Sequence, residues 1–145
     1  MPELGGIPGF TSAVIAGLNH VVQQCRGNGS LCVANMSLGV GSADSQATNQ
    51  AVRDAVAAGV VVVVSAGNDA SDACSVSPAG ERSAITVGNT NQTDARSPTS
   101  NWGPCVDVYA PGAGIISAGL TSPTSTTTMS GTSMSAPRKS QSAQG

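Results

Sequence analysis

Five consecutive valines, residues 60–64, constrain the fold more than any other feature of the chain. Valine is branched at Cβ and stiff at χ1, so such a run favours an extended strand over a helix. Because neighbouring side chains of a strand point to opposite faces, an unbroken apolar run predicts a strand that is covered on both faces. Strands of this kind are typical of parallel sheets packed between helices, and we therefore expect an α/β fold.

The segments around the valines support this architecture. Residues 47–58 carry apolar side chains at helical spacing, and Gly59 is placed to end that helix. The pattern predicts a second helix at residues 11–24 and short strands at residues 32–38, 84–88 and 106–110. Helix and strand alternate, so a mostly parallel, covered sheet follows, with loops in the Ser-, Asn-, Asp- and Pro-rich stretches.

The charge of the chain and the length of its apolar runs exclude nucleic acids and membranes as partners. The 145 residues include six Lys and Arg and eight Asp and Glu, for a net charge of −2. A chain with so few cations offers no basic face for nucleic acid. The apolar run at residues 60–64 is far shorter than the ~20 residues that cross a bilayer. We expect one domain, a monomer, and neither a nucleic-acid nor a membrane partner.

The chain ends and the cysteines carry weaker signals. Residues 1–6 show neither the positive nor the apolar region of a signal peptide, and the polar residues 138–145 are predicted to form a frayed tail. The single histidine, His20, and the lack of a C-x-x-C pair argue against a zinc site. Low charge and four cysteines favour disulfides and an oxidising compartment, with buried free thiols as the alternative.

Three segments are candidates for a functional site. Residues 37–39 (SLG) and 65–69 (SAGND) follow two predicted strands, where ligands of covered parallel sheets bind. In residues 129–137 (MSGTSMSAP), Ser133 stands where a helix could begin, just after Gly131. A serine at that place gains from the helix dipole, and the free N–H groups can hold an oxyanion. The elbow motif G-x-S-x-G does not fit, because Ser135 stands at its last position.

Residues 131–137 (GTSMSAP) resemble the nucleophile motif of the subtilisin-like serine proteases, G-T-S-M-[AS]-x-P. Further segments resemble motifs of that family in the family's order: residues 35–39 (NMSLG), 65–68 (SAGN), 77–79 (SPA), 86–88 (TVG), 100–103 (SNWG) and 110–112 (APG). The resemblance is to the proteinase K branch. It implies a three-layer α/β fold, in which a mostly parallel sheet carries helices on both faces. The domain is expected to be incomplete and to span residues 11–137. Residues 1–10 stay unassigned, and residues 138–145 are expected to be a polar tail.

The resemblance implies a secreted serine endopeptidase that acts on polypeptides by acyl transfer and requires no cofactor. Ser133 would be the nucleophile, and the Asn68 side chain would donate to the oxyanion beside the Ser133 N–H. Ser37, Leu38 and Gly39 would bind substrate by pairing with the peptide backbone. Ser65, Ala66 and Gly67 would form one wall of an apolar pocket. Thr132 is the remaining substrate-binding residue that the resemblance implies.

Two catalytic motifs of the family have no match in the chain. No Asp is followed by Ser/Thr-Gly, and His20 is followed by two valines rather than by Gly-Thr. We interpret His20 as a surface or packing residue of a helix and expect the N-terminal part of the domain to be absent. After Pro137 the family continues with His and a long buried helix, whereas this chain has Arg-Lys-Ser. Without a general base we expect negligible peptidase activity from the chain alone.

Two other functions compete with this interpretation. A non-catalytic relative could keep the peptide cleft and bind peptides without cutting them. A structural module rich in Ser, Thr and Gly could match by composition, but the ordered motifs argue against it.

The resemblance also implies secondary sites. It places a disulfide between Cys74 and Cys105. Cys25 and Cys32 flank a turn-rich stretch of sequence, and either they bridge each other, which is favoured, or one of them bonds a partner in the missing part of the domain. Asp107 aligns with a calcium ligand of the family, and the backbone carbonyls of Arg82 and Ala84 would complete a structural calcium site.

Overall fold

The computed structural model describes residues 10–28, 31–40 and 45–142, and within them three α-helices, one short 3-10 helix (Ala73–Ser75) and six strands. The helices are α1 (Phe10–Asn28), α2 (Ser45–Ala57) and α3 (Thr132–Ser142). The strands are β1 (Cys32–Met36), β2 (Val60–Ser65), β3 (Ile85–Thr90), β4 (Val108–Pro111), β5 (Ile115–Ala118) and β6 (Thr126–Met129).

Strands β1 to β4 form one parallel sheet in chain order. The valine strand β2 is an inner strand, with Val60 opposite Cys32 of β1 and Val63 opposite Ile85 of β3. Because all four strands run the same way, their carboxyl ends meet at one edge. The candidate segments after β1 and β2 therefore lie side by side.

Alternate valines of β2 enter two different cores. Val62 and Val64 pack with Leu18 of α1 and Val52 of α2 on one face of the sheet. Val63 packs on the other face with Val87 of β3 and Ala136 of α3. The predicted three-layer α/β fold is confirmed, with α1 and α2 on one side and α3 on the other.

Two local expectations differ from the structure. Helix α1 continues past residue 24 to Asn28, with Arg26 in its last turn, where a cation suits the helix dipole. The expected frayed tail is wrong as far as Ser142, because α3 runs through Arg138 and Lys139, which are good helix formers. Residues 1–9 and 143–145 lie outside the described part of the chain.

The antiparallel hairpin of β5 and β6 was not expected from the sequence. Ile115 pairs with Met129, and Ala118 pairs with Thr126. Only Ile115 and Met129 of its eight residues are even partly buried. A hairpin with so little buried surface has no apolar alternation to reveal it.

Both disulfide expectations are confirmed. Cys74 is bonded to Cys105, and Cys25, in α1, is bonded to Cys32, the first residue of β1. No described helix is both long enough and apolar enough to span a membrane.

Candidate active site

The site forms where β1 and β2 end and α3 begins. Ser37 follows β1, Asn68 follows β2 by three residues, and Ser133 is the second residue of α3. Hydrogen bonds join all three segments, so the structure brings together the residues that the sequence places almost a hundred positions apart.

Asn68 is oriented by Thr132. The Asn68 Oδ1 atom accepts from the Thr132 backbone N at 2.9 Å and from Thr132 Oγ1 at 3.1 Å. With the amide oxygen turned toward α3, the Nδ2 donor has no partner among the described residues. An exposed amide with its oxygen fixed and its nitrogen free is suited to donate to a developing negative charge.

Thr132 links the two loops of the site. Its side chain is fully buried, and its Oγ1 accepts from the Gly67 backbone N at 3.2 Å while donating to Asn68. One hydroxyl thus ties the start of α3 to the loop after β2. The side chain of Thr132 therefore connects these loops, and the expected contact of Thr132 with substrate stays a prediction.

Asn101 holds the loop that carries Asn68. It is fully buried, and its Nδ2 donates to the Ala66 carbonyl at 2.9 Å. Its Oδ1 accepts from the backbone N of Asp69 at 2.9 Å and of Ser71 at 3.1 Å. Its own backbone N donates to the Gly67 carbonyl at 3.0 Å. The sequence analysis quoted Asn101 only as part of a motif and gave it no role.

Gly67 is required by this contact. Its φ of +101° lies in the left-handed region that favours glycine. A Cβ atom built there would also meet the Asn101 side-chain amide. The close approach of Asn101 to the loop therefore depends on glycine at this position.

Ser133 lies in the first turn of α3 and is half-buried. Its Oγ donates to the Ser37 carbonyl oxygen at 3.4 Å. Its backbone N–H is among the first four of the helix, which have no acceptor inside the helix. The Ser133 N–H and the Asn68 amide nitrogen are therefore two hydrogen-bond donors available near the Ser133 hydroxyl.

Ser135 and Gly112 anchor the start of α3 to the sheet. Ser135 Oγ donates to the Ala110 carbonyl at 2.9 Å, and the Gly131 backbone N donates to the Gly112 carbonyl at 2.8 Å. A Cβ atom at Gly112 would collide with Ser135 Oγ and with Asn89 Oδ1. Sequence reasoning missed these supports, although the small residues of the motif at residues 110–112 are their signal.

The residues expected to bind substrate differ in exposure. Gly39 is exposed and Ser37 and Leu38 are half-buried, and neither Leu38 nor Gly39 uses its backbone groups in a hydrogen bond with another described residue. Ser65 and Ala66 are buried. An apolar depression lined by Val56, Val60 and Ile85 lies near the amino ends of β2 and β3, away from Ser133.

His20 is separated from Ser133 by the sheet. It is exposed on α1, whose apolar side packs on the face opposite α3. The interpretation of His20 as a surface residue is confirmed.

Of the residues expected to hold calcium, Asp107 is bonded to Thr86, two positions after Ala84. Asp107 is exposed, and its Oδ2 accepts from the Thr86 backbone N at 2.8 Å. The Arg82 side chain turns away to the Pro104 carbonyl, 2.6 Å from Nη1. The described residues contain no cluster of three or more His, Cys, Asp or Glu side chains that could hold a metal ion. A site here would therefore depend mainly on backbone oxygens.

Comparisons with known proteins agree with this geometry. The model of the subtilase family, Peptidase_S8, matches residues 6–143. An extracellular serine proteinase of a Thermus species is 53% identical over 129 residues, which are 89% of this chain and 30% of that protein. Subtilisin-like protease 4 of Trichophyton rubrum is 48% identical over 129 residues, 89% of this chain and 32% of the relative.

A solved structure shows the same fold. The crystal structure of a cold adapted subtilisin-like serine proteinase is similar with a TM-score of 0.80 and 45% identity, over 92% of this chain and 46% of that one. The chain spans about a third of the length of the curated relatives it matches, 30% and 32%.

Proposed function

Since the chain belongs to the subtilase family of serine proteases, we propose that it carries the nucleophile and oxyanion hole of a serine endopeptidase. Ser133 Oγ attacks the scissile carbonyl carbon, and the oxyanion is held by Asn68 Nδ2 and the Ser133 N–H. One observation supports this most directly: the Asn68 amide oxygen accepts two hydrogen bonds from Thr132, at 2.9 and 3.1 Å, while the amide nitrogen has no partner in the part of the chain that the structure describes.

The attack also needs a base, and His20 is on the wrong side of the sheet. In this chain the Ser133 hydroxyl donates to the Ser37 carbonyl, which holds the hydroxyl in place but is too weakly basic to take its proton. Loss of the catalytic His costs about 10⁶-fold in kcat, a magnitude measured in a subtilisin. We therefore expect negligible turnover from the chain alone.

The proposed substrate is an extended polypeptide in an extracellular setting. The backbone groups of Leu38 and Gly39, which bond no other described residue, offer a short edge to which a peptide strand can add. The small residues Ser65, Ala66 and Gly67 place no charge in the adjoining wall, so an apolar side chain is preferred over Lys or Arg next to the scissile bond.

A chimera tests the proposal. The 129 residues of the Thermus proteinase that align with this chain are replaced by this chain's own aligned residues. We expect hydrolysis of an apolar peptide ester, its loss with Ser133→Ala, and a fall in kcat of ~10²–10³ with Asn68→Ala, as measured for this donor in a subtilisin. Ser140→Ala, in the same helix, is the matched control. Full activity of the Ser133→Ala chimera would refute the proposal.

Peptide binding without cleavage is the second candidate. The observation in its favour is that Ser133 Oγ donates to the Ser37 carbonyl, while the backbone groups of Leu38 and Gly39 bond none of the residues that the structure describes. Titration of the unmodified chain with an uncleaved, fluorescent apolar peptide separates the two functions. Saturable binding near micromolar strength, lost with Gly39→Pro, supports a binding protein, and no saturation excludes it.

We also propose a structural calcium site formed by Asp107 and the backbone carbonyls of Arg82 and Ala84. Hard cations prefer such oxygen ligands, and Asp107 lies beside the 82–84 turn through its bond to Thr86. If the ion binds only the folded chain, calcium at 100 times its Kd stabilises by about 2.7 kcal/mol. Thermal melting with and without calcium measures this, and Asp107→Asn should abolish the shift whereas Asp94→Asn should not.

A further inference from the structure

We propose that Asn91 is a site of N-linked glycosylation. Residues 91–93, Asn-Gln-Thr, form an acceptor triplet N-x-[ST] in which x is not Pro. The triplet begins directly after β3, which ends at Thr90. The inference depends on the proposed extracellular setting, since only chains that enter a secretory pathway meet the glycosyl-transfer machinery.

The triplet has the contacts that an acceptor asparagine needs. Asn91 Oδ1 accepts from the Thr93 hydroxyl at 2.9 Å, from the Thr93 backbone N at 2.9 Å and from the Ala95 backbone N at 3.1 Å. Three donors on the oxygen draw electron density from the amide and fix its rotation. Nδ2, the atom that is glycosylated, then has no partner among the described residues.

The turn is local and projects into solvent. The Asp94 backbone N donates to the Asn91 carbonyl at 3.2 Å, and the Asn91 backbone N donates to the Ala95 carbonyl at 2.8 Å. Gln92, Thr93 and Asp94 are exposed. Because every one of these bonds joins residues within four positions, the arrangement can form before the sheet does, when a translocating chain is modified.

A second triplet, Asn35-Met36-Ser37, has the opposite arrangement. There Asn35 Nδ2 donates to Ser37 Oγ at 2.9 Å, so the nitrogen that would react is already used. Asn35 also lies within β1, paired with β2 opposite Val63. A third triplet, Asn28-Gly29-Ser30, lies partly outside the described residues. The contacts therefore select Asn91.

The transfer requires a lipid-linked oligosaccharide diphosphate and its transferase. A bond forms between Asn91 Nδ2 and the anomeric carbon of the first sugar. The bond from that carbon to the diphosphate oxygen breaks, and the lipid diphosphate leaves with the electron pair. The proton lost from Nδ2 goes to a base of the transferase, so no oxidant or reductant is needed.

The experiment uses the full chain secreted from yeast behind a heterologous signal peptide, so it does not depend on peptidase activity. We expect a slower gel band that peptide N-glycosidase returns to the mass of the bare chain. Glycosidase treatment in heavy-oxygen water should convert Asn91 to labelled Asp in the peptide map. Thr93→Ala should abolish the shift, and Thr93→Ser should retain it.

The variant Gln92→Pro distinguishes the effect of the acceptor triplet from that of the turn, because it removes the triplet and keeps the turn. Gln92 is the second residue of a β-turn, a position where proline fits, but proline there blocks the acceptor triplet. We expect this variant to fold and to lose the sugar. A secreted wild-type chain that is unmodified at Asn91, or one modified only at Asn28 or Asn35, would overturn the proposal.

Discussion

The Ser37 hydroxyl donates to the Ser133 backbone carbonyl at 3.0 Å, and Pro137 explains why that carbonyl is free. In an α-helix the carbonyl of residue 133 pairs with the N–H of residue 137, but proline has none. The sequence that follows the proposed nucleophile thus creates an unpaired acceptor, and the residue after β1 satisfies it. Since Ser133 Oγ in turn donates to the Ser37 carbonyl, the two serines are bonded reciprocally.

This pairing predicts a coupling between Ser37 and Pro137. Ser37→Ala should lower the free energy of unfolding by about 1 kcal/mol, because it removes the donor to the Ser133 carbonyl. In a Pro137→Ala background, residue 137 regains its N–H and can bond that carbonyl within the helix. The same substitution should then cost close to nothing, which gives a coupling energy of about 1 kcal/mol in a double-mutant cycle.

Urea unfolding of the four proteins in this cycle measures the coupling. Ser117→Ala, on the exposed strand β5, is the control and should change stability by less than about 0.5 kcal/mol. Equal costs of Ser37→Ala in both backgrounds would show that Pro137 has no part in the arrangement.

Thr132 provides a second prediction. Thr132→Val keeps the shape of this fully buried side chain but removes the hydroxyl that accepts from Gly67 and donates to Asn68. Losing these two hydrogen bonds, at about 0.5–1.5 kcal/mol each, should cost about 1–3 kcal/mol in total. Thr132→Ser keeps the hydroxyl and should lose much less. Calorimetry of both variants checks the order, and equal melting temperatures would contradict it.

Asn101 should be the most sensitive polar residue of the site. Asn101→Ala leaves the Ala66 carbonyl and the backbone N–H groups of Asp69 and Ser71 without their partner. The buried Ala66 carbonyl left unsatisfied costs about 1–3 kcal/mol, and each lost bond to the less buried Asp69 and Ser71 N–H groups costs about 0.5–1.5 kcal/mol. We therefore expect a loss of at least about 2 kcal/mol. Hydrogen exchange should quicken in residues 66–71 first. Asn19→Ala, on the exposed side of α1, is the control and should be near neutral.

The sequence predicted the strands and helices whose apolar pattern is local, and it missed the roles of residues whose hydrogen-bond partners are distant in the chain. The valines of β2 and the helical spacing of α2 define the layers, because burial on both faces requires an unbroken apolar run. The exposed hairpin of β5 and β6 leaves no such pattern. Ser133 and Asn68 could be named from their motifs, whereas the roles of Asn101 and Ser37 come from bonds between residues 30 to 96 positions apart. No local spacing encodes such contacts.

The two disulfides should differ in their contribution to stability. Cys74 and Cys105 are 31 residues apart, and Cys25 and Cys32 are 7 apart. In the chain-entropy model, loops of these lengths stabilise by about 3.7 and about 2.4 kcal/mol, because the longer loop removes more freedom from the unfolded chain. Replacing Cys74 and Cys105 by serine should therefore cost about 1.3 kcal/mol more than replacing Cys25 and Cys32. Denaturant unfolding of the two double-serine proteins measures the difference. A larger loss for the shorter loop would mean that contacts made by the folded Cys25–Cys32 bridge, rather than chain entropy, dominate.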